Sequence, residues 1–236
     1  SVFLMVLGFV FWVHYGVFFF LFFGLLSVLY GMFLWCRDVI RESTFQGFHT
    51  KSVRRSLRLG MILFIISEVF FFISFFWAFF NSSLAPALQI GSFWPPREIK
   101  SIVFYAFDVP LLNTGLLLAS GASITWAHYA LTAKDKLNTI LGFLITVLLA
   151  ILFTALQLRE YSEARFNFAT GVYGSVFFIS TGFHGIHVLI GTIFIIICFF
   201  RYIFFHFTKK HHDGFIFASW YWHFVDVVWL FLFVFV

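Results

Sequence analysis

Glu68 stands in the run Met61-Ile-Leu-Phe-Ile-Ile-Ser-Glu68-Val-Phe-Phe-Phe, where Ser67 is its only polar neighbour. A carboxyl so placed must be neutral or partnered. It can relay protons, or it can serve as a structural group bonded to Ser67 or to a facing helix; the residues leave both roles open. His223 and Asp226 are three apart in Trp220-Tyr-Trp-His-Phe-Val-Asp-Val-Val-Trp229 and share one helical face, so they can pair. The structural role is favoured there, with some water expected at Asp226. His184-Gly-Ile-His187 places two imidazoles where both could face one metal or one haem edge, although the HExxH of a zinc enzyme is absent. Haem held between helices takes one His from each of two spans, and His128 and His223 are candidate partners. Gly182 and Gly185 flank the pair and are expected to admit a close neighbouring helix, which favours packing with interhelical hydrogen bonds. His211-His212-Asp213 is expected in a loop, where adjacent histidines diverge and chelate weakly. The chain has no Gly-rich phosphate loop, nucleophile-base pair or carboxylate dyad.

The elements that must position these residues are membrane helices. The 236 residues are 62% hydrophobic and 11% charged, with mean hydropathy +0.99. A soluble domain carries about 25% charged residues, so a water-solvated globule is excluded. Seven apolar segments fall at 1–13, 16–36, 59–80, 109–130, 138–157, 174–200 and 215–236. A span needs roughly 20 residues, so the first is short for a straight crossing. None alternates as barrel strands do, and backbone in lipid must pair within its own segment, so helices are expected. The connections run from 37 to 58, 81 to 108, 134 to 136, 159 to 170 and 201 to 214. There is no internal repeat and no soluble domain.

The net charge is +5 and the pI about 9.4. The basic residues lie in short connections, which points to membrane topology and away from nucleic acid. With seven crossings, eleven Lys and Arg fall on one face and four (Arg97, Lys100, Arg159 and Arg165) on the other. That bias places the N-terminus inside, on the matrix or cytoplasmic side, and the C-terminus outside. Arg41, Glu42, His49, Arg201 and His206 then stand at or near the inner ends of spans. Cations there suit anionic lipid head groups, or simply snorkel to the interface. Cys36 and Cys198 form no CxxC or Cys/His cluster and read as free, buried thiols. No cleavable signal is expected, because the apolar N-terminus lacks a basic region and a small-residue cleavage site. The 41 Phe residues suggest a T-rich, organellar genome.

Longer motifs identify a family resemblance. They are Arg37-Asp-Val-Ile-Arg-Glu-Ser-Thr-Phe-Gln46, Gly60-Met-Ile-Leu-Phe-Ile-Ile-Ser-Glu68, Phe76-Trp-Ala-Phe, Ser82-Ser-Leu-Ala-Pro86 and Trp94-Pro-Pro96. Then come Val109-Pro-Leu-Leu-Asn-Thr114, Ser120-Gly-Ala-Ser-Ile-Thr-Trp-Ala-His128, Gly171-Val-Tyr-Gly-Ser175, Thr181-Gly-Phe-His-Gly-Ile-His-Val188 and Trp220 to Phe231. In that order they resemble cytochrome c oxidase subunit III, of mitochondrial type, along nearly the whole chain.

The resemblance implies an all-α membrane protein of seven helices, the first shortened. Helices I–II (1–36) and III–VII (59–236) would form two halves around a V-shaped, lipid-binding cleft. It implies a non-redox subunit of complex IV in the mitochondrial inner membrane, with haem a, haem a3 and copper in partner subunits I and II. This subunit would support electron transfer from cytochrome c to oxygen and coupled proton pumping by stabilising subunit I, holding phospholipids such as cardiolipin or phosphatidylglycerol, and sustaining proton uptake. Accessory subunits are further expected partners. Glu68 matches the family's buried, carbodiimide-reactive carboxyl. Arg41, Glu42, His49, Arg201 and His206 match positions near lipid head groups. His128, His184, His187, His223 and Asp226 become structural polar groups within the membrane. Phe204 departs from a family lysine, a role Lys209 could take. The N-terminal extension is absent, the C-terminus precedes the family's aromatic-Gly tail, and residues 97–108 diverge. The alternatives are a free-standing proton channel or transporter built around Glu68 and Asp226, and a di-haem cytochrome.

Overall fold

The computed structural model describes residues 1–100 and 105–236, the side chains of residues 98 and 100 excepted. The divergent 97–108 segment therefore lies partly outside the described residues. Seven long helices carry the chain: α1 (Val2–Tyr15), α2 (Phe19–Arg41), α3 (Lys51–Leu84), α5 (Val109–Ala133), α6 (Lys136–Glu163), α7 (Val172–Ile203) and α8 (Asp213–Phe235). A short helix, α4 (Arg97–Lys100), lies between α3 and α5. Among the described residues there is no strand.

The helices outrun their apolar cores. The expected connection from 37 to 58 is mostly helical: α2 continues to Arg41, a π-helical turn covers Glu42–Gln46, and α3 begins at Lys51. Charged residues at helix ends need no loop, because their long stems let the charge leave the apolar layer. At α5, Pro110 fits the first turn, whose N–H groups have no helical partner. Asp135 caps α6 by accepting from the Asn138 backbone N–H at 3.2 Å.

Five helices are long and apolar enough to cross a bilayer: α2 with its π turn, α3, α6, α7 and α8. α1 has 14 residues, about 21 Å at 1.5 Å each, and falls short. α5 also has the length, and it carries its polar residues Asn113, Thr114, Ser120 and Ser123 buried against protein.

The chain divides into two compact units, Ser1–Leu57 and Arg58–Val236, with α3 running through the division. In the first, α1 packs on α2. Gly8 and Gly24 are its only buried residues, and a Cβ at either would strike the backbone of the facing helix. Cys36 is exposed there, against expectation, whereas Cys198 in the second unit is buried.

In the second unit, α5, α6, α7 and α8 form a closed ring in which each packs on the next and α8 returns to α5. Trp222, Phe143, Phe153, Phe215, Ile124 and Ile195 fill its centre. α3 lies along the α7–α8 side and touches it through aromatic side chains, such as Phe71 on Phe183 at 5.1 Å and Phe72 on Phe224 at 6.1 Å. The outer surface is apolar, with Leu118, Leu148, Ile193 and Val227 exposed, while many buried groups are polar. That inversion suits a bilayer as solvent.

Gly142 sets the α5–α6 spacing, because a Cβ there would approach the Ala127 Cβ to 2.7 Å. Gly142→Val is expected to destabilise the subunit by about 1–3 kcal/mol. Gly115→Ala, where a Cβ meets nothing within 4 Å, is the control and should change little. Thermal unfolding of the assembled membrane protein measures both.

Candidate functional site

Glu68 from α3 meets His187 from α7, Oε2 to Nε2, at 2.9 Å. Ser67 is not its partner; that hydroxyl donates to the Phe64 carbonyl at 2.6 Å. The His187 Nδ1–H donates to the Phe183 carbonyl at 2.7 Å. A carbonyl can only accept, so Nδ1 carries a proton and the contact to Glu68 needs one more. Either His187 is an imidazolium beside a carboxylate, or Glu68 donates its own proton to Nε2. The pair is electrically neutral in both forms. Phe72, Tyr221 and Phe224 surround the imidazole at 5.0, 6.3 and 6.3 Å. A lone carboxylate would be costly there, and a neutral pair removes most of that cost.

His223 and Asp226 repeat this arrangement on α8. Nδ1 lies 3.4 Å from Oδ2. Thr125 gives its hydroxyl proton to the Gly121 carbonyl at 2.9 Å, so the His223 Nε2–H donates to Thr125 Oγ1 at 3.1 Å. At that distance the acid and the base are a looser ion pair than Glu68 with His187. Asp226 is 6% exposed, deeper than the sequence suggests, and its Oδ1 is buried without a hydrogen bond. Gly121 makes the room, because a Cβ there would collide with Asp226 Oδ2.

His184 and His187 do not converge. The His184 Nε2–H donates to the Val225 carbonyl on α8 at 3.3 Å, and its ring lies 5.9 Å from Phe153 and 5.1 Å from Trp229. One imidazole serves α8 and the other α3, so the i, i+3 spacing ties helices together. Gly182 and Gly185 do not admit a close neighbour, since neither has an atom within 4 Å of an added Cβ. They open onto an apolar pocket with Phe153, Leu158, Ile186 and Leu189. The close approaches occur at Gly121, Gly142 and Gly191 instead.

His128 pairs with a residue the sequence placed in a loop. Its Nε2 lies 3.2 Å from the His212 Nε2. The His212 Nδ1–H donates to the Thr208 carbonyl at 3.0 Å, so with His212 neutral the His128 Nε2–H is the donor between the rings. Beside them, Arg58 of α3 holds Asp213 at the start of α8 through Nε and Nη2, at 2.9 and 2.7 Å. Further polar bonds close the ring of helices. Trp222 and Trp229 of α8 donate to Ser120 and Thr114 of α5, both at 2.9 Å. Tyr161 of α6 donates to Thr181 of α7 at 2.6 Å.

Arg201 and His206 come together where α7 ends. The Arg201 guanidinium stacks on Phe207 at 4.4 Å, and its Nε is buried without a hydrogen bond. Burial and the Arg201 charge push His206 below the ordinary imidazole range, which keeps it neutral at pH 7. In the first unit, Arg41 and Glu42 are exposed at the end of α2 and His49 is half-buried beyond the π turn. Among the described residues, no three His, Cys, Asp or Glu are grouped to hold a metal ion.

A family model described as cytochrome c oxidase subunit III matches residues 1–236. The chain belongs to the cytochrome c oxidase subunit III family. It is 56% identical to "Cytochrome c oxidase subunit 3" of Equus caballus and of Bos taurus, each over 99% of this chain and 89% of the relative. The Xenopus laevis protein of that name is 56% identical over 96% of this chain and 86% of its own. This chain is therefore a subunit of complex IV, the proton-translocating cytochrome c oxidase, and a multi-pass protein of the inner membrane. A free-standing channel or transporter finds no support in this membership. In this subunit III chain the paired histidines act between helices.

Removing one member of the Glu68–His187 pair strands the other. His187→Leu is expected to cost about 3–5 kcal/mol, and Glu68→Leu combined with His187→Leu to recover most of it. A double-mutant cycle on thermal unfolding of the assembled oxidase measures the coupling. Equal losses in the single and double variants would contradict the pairing.

Proposed function

We propose that this subunit stands beside subunits I and II, which carry haem a, haem a3 and copper, and that it holds structural phospholipid and keeps proton uptake sustained. Accessory subunits complete its surroundings. The observation that carries the lipid assignment is Arg201. No carboxylate among the described residues pairs with its guanidinium, although Phe207 covers one face and Nε is buried. A half-buried cation without a counter-ion calls for an anion from outside, and a guanidinium suits the oxygens of a phosphate. At a helix end in a membrane, the phosphate of cardiolipin or phosphatidylglycerol is the available one. Neutral His206 beside it adds no competing charge. Arg41, Glu42 and His49 make a second head-group set at the end of α2. The bias of eleven Lys and Arg against four across the alternate connections supports a matrix-side N-terminus and an intermembrane-space C-terminus.

Glu68 and Asp226 fit a structural role in this reading. Each pairs with an imidazole that another hydrogen bond orients: Glu68 with His187 joins α3 to α7, and His223, beside Asp226, joins α8 to α5 through Thr125.

Arg201→Gln is expected to leave about one anionic phospholipid fewer on the purified complex and to shorten its functional lifetime during turnover. Native mass spectrometry and activity decay are the measurements, and unchanged lipid content would sink the assignment. Glu68→Gln is expected to leave initial electron transfer largely intact. An immediate collapse of oxygen reduction by the assembled enzyme would contradict the structural role.

A further inference from the structure

A second pocket lies at the other end of the ring, where α5 and α7 begin and α6 and α8 end. Its wall is aromatic, with Tyr173 and Phe177 from α7 and Trp229 and Phe233 from α8. The Trp229 indole is fixed by its bond to Thr114 at 2.9 Å. Glu160 of α6 also lines the pocket. It is 6% exposed, and among the described residues no hydrogen bond or ion pair reaches its carboxyl. The adjacent cation is occupied, because Arg159 binds Glu163 at 2.7 Å. Asp108, just before α5, adds a second negative charge close enough to act on Glu160. Nearby, Asn113 donates to Gln157 at 3.4 Å and leaves its own Oδ1 buried without a donor. The site has acceptors in excess and aromatic faces around them.

This complement specifies its guest. A hard metal ion needs several oxygen ligands at fixed distances, and one carboxylate among aromatic rings does not supply them. Water would satisfy an oxygen but gains little from four rings. A substituted ammonium suits both parts, its charge meeting Glu160 and its carbon atoms packing on the ring faces. The cavity is about 80 Å³. Its flank is apolar, with Leu111, Leu158, Phe168 and Val172 exposed, so the guest arrives from the bilayer. Exposed Arg165 in the α6–α7 connection has the sign to meet an attached phosphate.

We propose that the Glu160 pocket binds the ammonium headgroup of a choline or ethanolamine phospholipid. It is a different site from Arg201, with the opposite charge and at the opposite end of the bundle, so either can fail alone.

The test uses intact complex IV carrying Glu160→Gln or, as a milder change, Phe233→Leu. Each is delipidated gently and re-equilibrated with a mixture of phosphatidylcholine, phosphatidylethanolamine and phosphatidylglycerol. Retained lipids are then counted by native mass spectrometry. The wild type is expected to keep one choline or ethanolamine lipid that Glu160→Gln loses and Phe233→Leu holds more weakly, with phosphatidylglycerol unchanged in all three. Soluble phosphocholine should compete that lipid away. Equal retention of that choline or ethanolamine lipid by the wild type and both variants would overturn the proposal, as would a parallel loss of phosphatidylglycerol. Binding of phosphocholine without lipid retention would overturn the lipid source. An infrared carboxylic-acid band present in wild type and lost in Glu160→Gln would show a protonated acid with no cation, and would overturn the site.

Discussion

Inside a bilayer a carboxyl has no water to turn to, and the second unit of this chain is organised around that constraint. Glu68 and Asp226 each face an imidazole, at 2.9 and 3.4 Å, and each imidazole is held by another bond, to Phe183 or to Thr125. The acids are thereby neutralised locally. The same bonds bind α3 to α7 and α8 to α5, so the demand for neutrality and the demand for helix association are met by the same atoms. Around them the hydroxyls of Ser120, Thr114 and Thr181 accept from Trp222, Trp229 and Tyr161. Apolar area alone gives little drive between helices in lipid, so such bonds and close packing carry more of the specificity.

The two ends of the ring differ in electrostatic character. One end holds Arg58 against Asp213, with Arg201 unpaired by any described carboxylate. The other holds the buried carboxyl of Glu160, unpaired among the described residues, with Asp108 close by. The midsection keeps its charges in neutral pairs. Charge imbalance is confined to the levels where lipid head groups lie, which is where a membrane can answer it.

Local relations were legible in the sequence and distant ones were not. His223 and Asp226 could be paired because three residues on a helix fix a common face. Glu68 could be marked as needing a partner, but His187 lies 119 positions away and nothing local selects it over His128 or His184. His128 was read beside the wrong candidates because His212 was assigned to a loop, where its ring direction has no period to predict it. Glu160 was missed because Arg159 and Glu163 made its surroundings resemble a connection. The signal was present: Phe153, Gln157 and Glu160 are buried at helical spacing and continue the inward face of α6. Gly182 and Gly185 misled because small residues permit close packing without requiring it. Helix type and count were readable from hydropathy, whereas the polar interior of α5 was hidden by its apolar outer face.

The polarity of α5 bears on how the protein is made. A segment that enters a bilayer by itself must be apolar enough to partition there, and α5, 25 residues long, carries Asn113, Thr114, Ser120 and Ser123 that end up buried. Only Lys134 and Asp135 separate it from α6, which is strongly apolar. The Ser123 and Thr146 hydroxyls, which bond at 2.7 Å, and the contact of Gly142 with Ala127 are available as soon as those two helices lie side by side. The α5–α6 pair therefore satisfies Ser123 and Thr146 between its own two helices, without needing α7 or α8.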